Sequence, residues 1–155
     1  MTPRTLRAIP PAQADLALAA LRDLRPHAPQ TASPDALRAF LAQTEAEGYR
    51  LVGAFTPGQP EAVAVAGYRV MNLLYAGTVL YVDDLSTRPA ARGQGHAAAL
   101  LAWLEEEAGR LECAALHLDS GVGEDRFTAH RQYLKAGLNI TAHHFSKRLG
   151  HGEQR

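Results

Sequence analysis

The sequence predicts an α/β domain with a mixed central sheet flanked by helices. Three observations carry this. Runs of β-branched and apolar residues, such as 78–87 and 113–119, alternate with stretches whose apolar residues recur at helical spacing. Helices separate the later strands while short turns join the earlier ones, so antiparallel and parallel pairs should share one sheet. The chain has 155 residues, 46% of them hydrophobic, which suits one domain with one proper core.

Each element has its own signal. Residues 6–9 read as a short strand that Pro10-Pro11 ends. Over 12–24, Leu16, Ala20 and Leu24 lie at helical spacing, Leu18 and Leu21 widen the stripe, and Pro26 stops the helix. Ser33 can cap a second helix and Pro34 suits its first turn. Leu37, Phe40, Leu41 and Thr44 form its apolar face, and Gly48 ends it. Strands at 49–55 and 61–70 flank the turn Thr56-Pro57-Gly58-Gln59-Pro60. Another turn within 72–77 leads to the central strand at 78–87. After a loop at 88–95, a helix at 96–111 turns Leu100, Leu101, Trp103, Leu104 and Ala108 inward. A strand at 113–119, a loop at 120–124, a helix at 126–136 capped by Gly137 and a strand at 139–147 follow. The predicted order is β-α-α-β-β-β-α-β-α-β. Residues 1–149 read as a single domain and 150–155 as a disordered tail.

Composition excludes several classes. Sixteen Lys+Arg balance sixteen Asp+Glu, and a net charge of +0 argues against a general nucleic-acid binder. The single cysteine, Cys113, can form neither an internal disulfide nor a cysteine-based zinc site. It sits in an apolar stretch and reads as a buried, unreactive thiol. No stretch approaches the roughly 20 apolar residues of a membrane span. The N-terminus leads into no hydrophobic signal region, so a cytoplasmic protein without membrane partners is expected. His117, His130, His143, His144 and His151 offer no His-x-x-x-His pair with a carboxylate partner, and no metal is expected. Asp119-Ser120 is a local pair without an identifiable base, so no Ser-His-Asp triad can be argued.

The informative stretch is 85–97, where a strand ends, a glycine-containing loop follows and a helix begins. A helix N-terminus leaves about four backbone N–H groups without intrahelical partners and carries positive potential. Gly93 and Gly95 let the backbone approach a bulky anion, and Ala97 is too small to obstruct it. The stretch is either a phosphate or pyrophosphate cradle or an ordinary strand-to-helix turn. It is no Walker loop, because no Gly-Lys-Ser/Thr follows, and no early parallel β-α-β unit supports a dinucleotide fingerprint.

Arg92-Gly93-Gln94-Gly95-His96-Ala97 matches the Arg/Gln-x-x-Gly-x-Gly/Ala loop of the GNAT superfamily of acyl-CoA-dependent N-acetyltransferases. Leu85-x-Thr87-x-Pro89 keeps that superfamily's spacing between central strand and loop. Ala129-His130-Arg131-Gln132-Tyr133-Leu134-Lys135-Ala136-Gly137-Leu138 resembles its Ala-x-x-Phe-Tyr-x-x-x-Gly-Phe segment. With the element order from Leu6 to Leu149, the resemblance covers nearly the whole chain and implies a GNAT-like fold. Gln132 and Leu138 depart from the pattern, and Arg126 stands where many members carry asparagine near the cofactor.

The resemblance implies transfer of an acetyl group from acetyl-CoA, as cosubstrate, to a primary amine of a small molecule or peptide by direct attack. It implies that backbone N–H groups of Arg92, Gly93, Gln94, Gly95, His96 and Ala97 hold the CoA pyrophosphate. The backbone of Leu85, Ser86 and Thr87 would pair with pantetheine amides as an added strand, where the central strand and the 113–119 strand splay apart. An N–H of the Leu85 region would polarise the thioester carbonyl. Tyr133 fits the general acid that protonates the departing thiolate, the alternative being simple packing at the helix end. Asp83 and Asp84 are adjacent on the strand and should point to opposite faces. One would open on the acceptor site and attract or deprotonate the ammonium, or else be a hydrogen-bonded structural aspartate. The parity of Asp83 matches Tyr81 and Leu85 and favours it, and a β-bulge would reverse that parity.

Asp119-Ser120-Gly121 followed by Ala129-His130-Arg131-x-Tyr133 resembles a branch that includes aminoalkylphosphonate acetyltransferases. That places Ser120 at the acceptor pocket and Arg131 or Arg126 against an acidic acceptor group. A non-catalytic acyl-CoA-binding or regulatory module on the same fold is the alternative. The sheet's edges could support a homodimer.

Overall fold

Five strands carry the first of two compact units, Met1–Leu118. They are β1 (Thr5–Ile9), β2 (Arg50–Phe55), β3 (Ala64–Leu73), β4 (Gly77–Thr87) and β5 (Ala115–Leu118). In the computed structural model, which describes residues 3–151, they lie side by side in sequence order. The first four pair antiparallel, and β5 runs parallel to β4. A parallel neighbour needs a crossover. The helix after β4 supplies it.

Helices α1 (Asp15–Leu24) and α2 (Pro34–Thr44) fill the connection from β1 to β2, and α3 (His96–Arg110) is the crossover. Successive strand residues point to opposite faces, so the sheet supports two cores. Leu18, Leu21, Leu37 and Leu41 of the first two helices pack with Ile9, Leu51 and Val65. Leu100 and Leu104 of α3 pack on the other face with Val52, Ala54, Ala66, Leu80 and Val82. Trp103 closes that layer with its ring edge-on to Tyr68 at 5.9 Å. Ser33 accepts from the Ala36 N–H at 3.1 Å and Pro34 opens α2, as its sequence predicts. The buried face of α1 consists of Ala17, Leu18, Ala20 and Leu21, so the predicted stripe residues Leu16 and Leu24 lie on its flanks. Small residues in this arc let the helix backbone come down to the sheet: the Ser86 hydroxyl donates to the Ala20 carbonyl at 2.7 Å.

The β3–β4 ladder contains one irregularity. Gly67 faces Asp84, but the next residue, Tyr68, faces Val82. Asp83 is therefore the extra residue of a β-bulge. Across it the face that packs on α3 passes from Leu80 and Val82 to Leu85, a step of three where a flat strand would take two. Beside the bulge, the Tyr49 phenol crosses β3 over Gly67. A Cβ on Gly67 would stand 1.9 Å from the Tyr49 Oη and 2.5 Å from its Cζ.

The second unit, Asp119–Arg155, contains helix α4 (Phe127–Lys135). The strand expected at 139–147 is absent, and these residues form no regular element. Ile140 and Phe145 differ in parity, so an extended chain cannot turn both to one core, and they are 81% and 91% exposed. Of the expected tail, Gly150 and His151 form a turn, and 152–155 lie outside the described residues.

His96 opens α3 with only 1% of its surface exposed. Neither ring nitrogen has a hydrogen-bond partner among the described residues. Burial, reinforced by the nearby Arg4 guanidinium, pushes its pKa down. Protonation then favours the unfolded chain. Stability is full above the ordinary histidine value of about 6.5 and is lost as pH falls through the folded value.

Two outcomes follow. Gly67→Ala forces Tyr49 from its seat and should cost about 1–3 kcal/mol in urea denaturation; unchanged stability would contradict the crossing. His96→Leu should flatten the loss of stability as pH falls below about 6.5, by at most about 1.4 kcal/mol per pH unit. Equal losses in both proteins would remove His96 as the cause.

Candidate active site

The bulge settles where the acidic pair points. Asp84 follows Ser86 to the α1 side of the sheet. Its Oδ2 accepts from the Tyr49 hydroxyl at 2.7 Å, and its Oδ1 meets Arg25 at 3.0 Å. Asp83 is held by Arg69, whose Nη2 donates to Oδ2 at 2.8 Å and whose Nε lies 3.1 Å from both oxygens. Arg69 in turn lies over the Tyr49 ring, 5.3 Å from its centroid. Arg25 also reaches the Asp83 carbonyl at 3.3 Å. Both carboxylates thus belong to one network with Tyr49, Arg25 and Arg69. This corrects the expectation of opposite faces and breaks the parity match of Asp83 to Leu85, while Asp83 keeps the side of Tyr81, whose register partner Arg69 holds it. The extra residue lets two neighbours share a side.

The network balances two carboxylates with two guanidinium groups, which makes partial burial of four charges tolerable. Burial raises the Asp83 pKa, Arg69 opposes that rise, and the Asp84 charge adds to it. Burial and the adjoining Asp84 push the Tyr49 phenol well above its usual value, so it stays protonated and donates. The side chains of Asp83 and Asp84 keep 22% and 17% of their surface in water, enough to meet a cation arriving from solvent.

Past the bulge, β4 loses its parallel neighbour. Pairing with β5 stops at Val82 and Leu118, while β4 runs on to Thr87. On the β5 side, Leu85, Ser86 and Thr87 carry no ladder. The Ser86 side chain is held by Ala20, which leaves only its backbone to offer. Pro89–Ala91 then makes one tight turn and the chain reaches Arg92. Gly93 has φ 76° and Gly95 φ 83°, left-handed values that favour glycine. Nothing lies within 4 Å of where a Gly93 Cβ would be, so this glycine serves conformation and the space beside it is open. Gly95 stands at the N-cap of α3, and among the described residues no side-chain cap accepts from the helix's first amides. The amides of His96 and Ala97 therefore begin a helix end suited to an anion. The carbonyls of Gln94 and Gly95 instead accept from Arg4 at 2.7 and 2.6 Å.

In the second unit, Tyr133 is half-buried on α4. Arg126 donates to its hydroxyl oxygen at 3.4 Å, which leaves the phenolic hydrogen for another acceptor. Ser120 Oγ lies 3.1 Å from His130 Nε2. That nitrogen is also 2.7 Å from the Gly121 carbonyl, which can only accept. Nε2 therefore carries a hydrogen and cannot take the Ser120 proton, so the pair is no nucleophile–base couple. Arg131 is exposed.

Among the described residues no group of three or more His, Cys, Asp or Glu could hold a metal ion. Cys113 is half-buried just ahead of β5, with its thiol pKa raised by burial and by Glu107. No described helix is long and apolar enough to cross a membrane. Sequence reasoning missed Tyr49, Arg25, Arg69 and Arg4. Each acts through a contact with a distant segment, and the local pattern carried no signal for it.

The Acetyltransferase (GNAT) family model matches residues 16–138. No curated protein matches the sequence. Among solved structures, an acetyltransferase from Trypanosoma brucei superposes with a TM-score of 0.77 at 21% identity, covering 95% of this chain and 100% of its own. Aminoglycoside N-acetyltransferase AAC(6')-Iy, solved in complex with CoA, gives a TM-score of 0.78 at 15% identity over 97% of each chain. Glucosamine-6-phosphate N-acetyltransferase from Arabidopsis thaliana gives 0.75 at 13% identity, covering 94% of this chain and 98% of its own. Such identities carry the fold alone. The family model spans most of the chain, including both β4 with its glycine loop and α4 with Tyr133, and the protein belongs to the GNAT acetyltransferase family.

Proposed function

We propose that the protein transfers the acetyl group of acetyl-CoA to a primary amine of a small molecule or peptide. The observation that carries this reading is the α3 N-terminus, capped by Gly95 without a side-chain cap, behind two left-handed glycines, beside a strand end that β5 does not pair, in a chain of this family. The residues present fit the cosubstrate. The backbone N–H groups of residues 92–97 suit its pyrophosphate. The free side of Leu85, Ser86 and Thr87 offers alternating N–H and C=O groups to pantetheine amides. Acetyl-CoA supplies an activated thioester, and an amide of the same strand end is placed in the role of polarising its carbonyl.

Asp83 and Asp84 serve the acceptor. Their carboxylates attract an ammonium, and Asp83, whose pKa burial raises, can take its proton. Tyr133 acts as general acid towards the leaving thiolate. Support comes from its place in the matched segment and from the Arg126 contact, which keeps its hydrogen available. Ser120 and the Arg131 cation are assigned to the acceptor, Arg131 towards an anionic group. One observation favours a non-catalytic acyl-CoA-binding module instead: both carboxylates already have arginine or tyrosine partners. Turnover separates the two.

A panel of small amines and peptides with acetyl-CoA, followed by thiol release, tests the proposal. Amine-dependent release is expected; acetyl-CoA binding without release for any amine would support the module. Tyr133→Phe should lower kcat by about 100-fold while acetyl-CoA affinity stays within about twofold. Unchanged kcat would remove Tyr133 as the acid.

A further inference from the structure

The loop that begins α3 is tied to a residue from the far end of the sequence. Arg4 precedes β1, and its Nη1 donates to the Gly95 carbonyl at 2.6 Å across 91 positions. Its Nη2 donates to the Gln94 carbonyl at 2.7 Å. A planar guanidinium can hold two neighbouring carbonyls at once, which a flexible ammonium cannot do in fixed geometry. Peptide units are planar and trans, so each carbonyl and the N–H that follows it point in opposite directions. Fixing the carbonyls of Gln94 and Gly95 towards Arg4 therefore aims the N–H groups of Gly95 and His96 away from it. The Gly95 carbonyl also accepts from Ala99 at 3.0 Å, so the first turn of α3 and the Arg4 fork hold one peptide plane together.

Two further facts fit. A Cβ on Gly95 would lie 3.4 Å from Arg4 Nη2, so the guanidinium sits close against the backbone of the left-handed turn. Its charge is also felt by the His96 ring, whose pKa it helps to depress. The positive field thus reaches the start of the helix where an anion would be received.

We propose that Arg4 is a positioning residue for the diphosphate of acetyl-CoA: it locks two peptide planes of the glycine loop with their N–H groups presented to the phosphates, and adds positive charge behind the loop. This makes the segment ahead of β1 a determinant of cosubstrate affinity. The inference rests on the reading that acetyl-CoA is the cosubstrate.

The test compares acetyl-CoA with acetyl-pantetheine, which has no diphosphate. Arg4→Gln should weaken acetyl-CoA binding about tenfold by calorimetry, and leave acetyl-pantetheine binding, followed by NMR titration, within about twofold. Arg4→Lys keeps the charge without the fork and should recover only part of the loss. An Arg4→Gln protein that binds acetyl-CoA like the wild type overturns the inference. So does an equal loss for both ligands, which would mark general damage to the fold. Failure of the wild type itself to bind acetyl-CoA would instead overturn the functional reading, and this inference with it.

Discussion

One inserted residue, Asp83, governs the arrangement on β4. Without it, the alternation of the strand would send Asp83 and Asp84 to opposite faces and turn Leu85 away from the α3 core. With it, Leu85 returns to the core under α3, and Ser86 reaches the α1 backbone. Both aspartates join Tyr49, Arg25 and Arg69. The same stretch is where β4 parts from β5, so the backbone beyond it is open on one side. A bulge raises local twist and disrupts the ladder. Here these effects fall between the hydrophobic half of β4 and its end at the glycine loop.

The bulge needs support from its neighbours. Two adjacent carboxylates at partial burial repel each other and lose hydration. Arg69 and Arg25 offset that, and the Tyr49 hydroxyl satisfies a further lone pair. Tyr49 can reach Asp84 only because Gly67 has no side chain in its way. One glycine on β3, one tyrosine ahead of β2 and an arginine just past α1 thus converge on a single position of β4. The loop that follows is organised on the same principle, with Arg4 holding carbonyls while no described side chain caps the amides of the first helical turn.

Much of this was legible in the sequence. Ser33-Pro34 marked the start of α2, the spacing of Leu100, Leu104 and Ala108 marked the buried face of α3, and the glycines at 93 and 95 marked the left-handed loop ahead of α3. These signals are local, and local physics decides them. The bulge was half-legible: Leu80, Val82 and Leu85 step by two and then by three, which a flat strand does not do. The pairing partners that prove it lie on β3, beyond the reach of local pattern. Tyr49, Arg25, Arg69 and Arg4 act across 14 to 91 positions, and no spacing rule finds them. The segment 139–147 misled because its β-branched and aromatic residues raise strand propensity while their parity gives no common face.

The most direct test is an NMR titration of the isotopically labelled protein with acetyl-CoA, with ATP as control, following the backbone amides one by one. Acetyl-CoA should shift the amides of Leu85, Ser86 and Thr87 together with those of Gly93, Gly95, His96 and Ala97. ATP should leave Leu85, Ser86 and Thr87 unmoved. Shifts confined to other parts of the sheet, or an identical response to ATP, would contradict this reading.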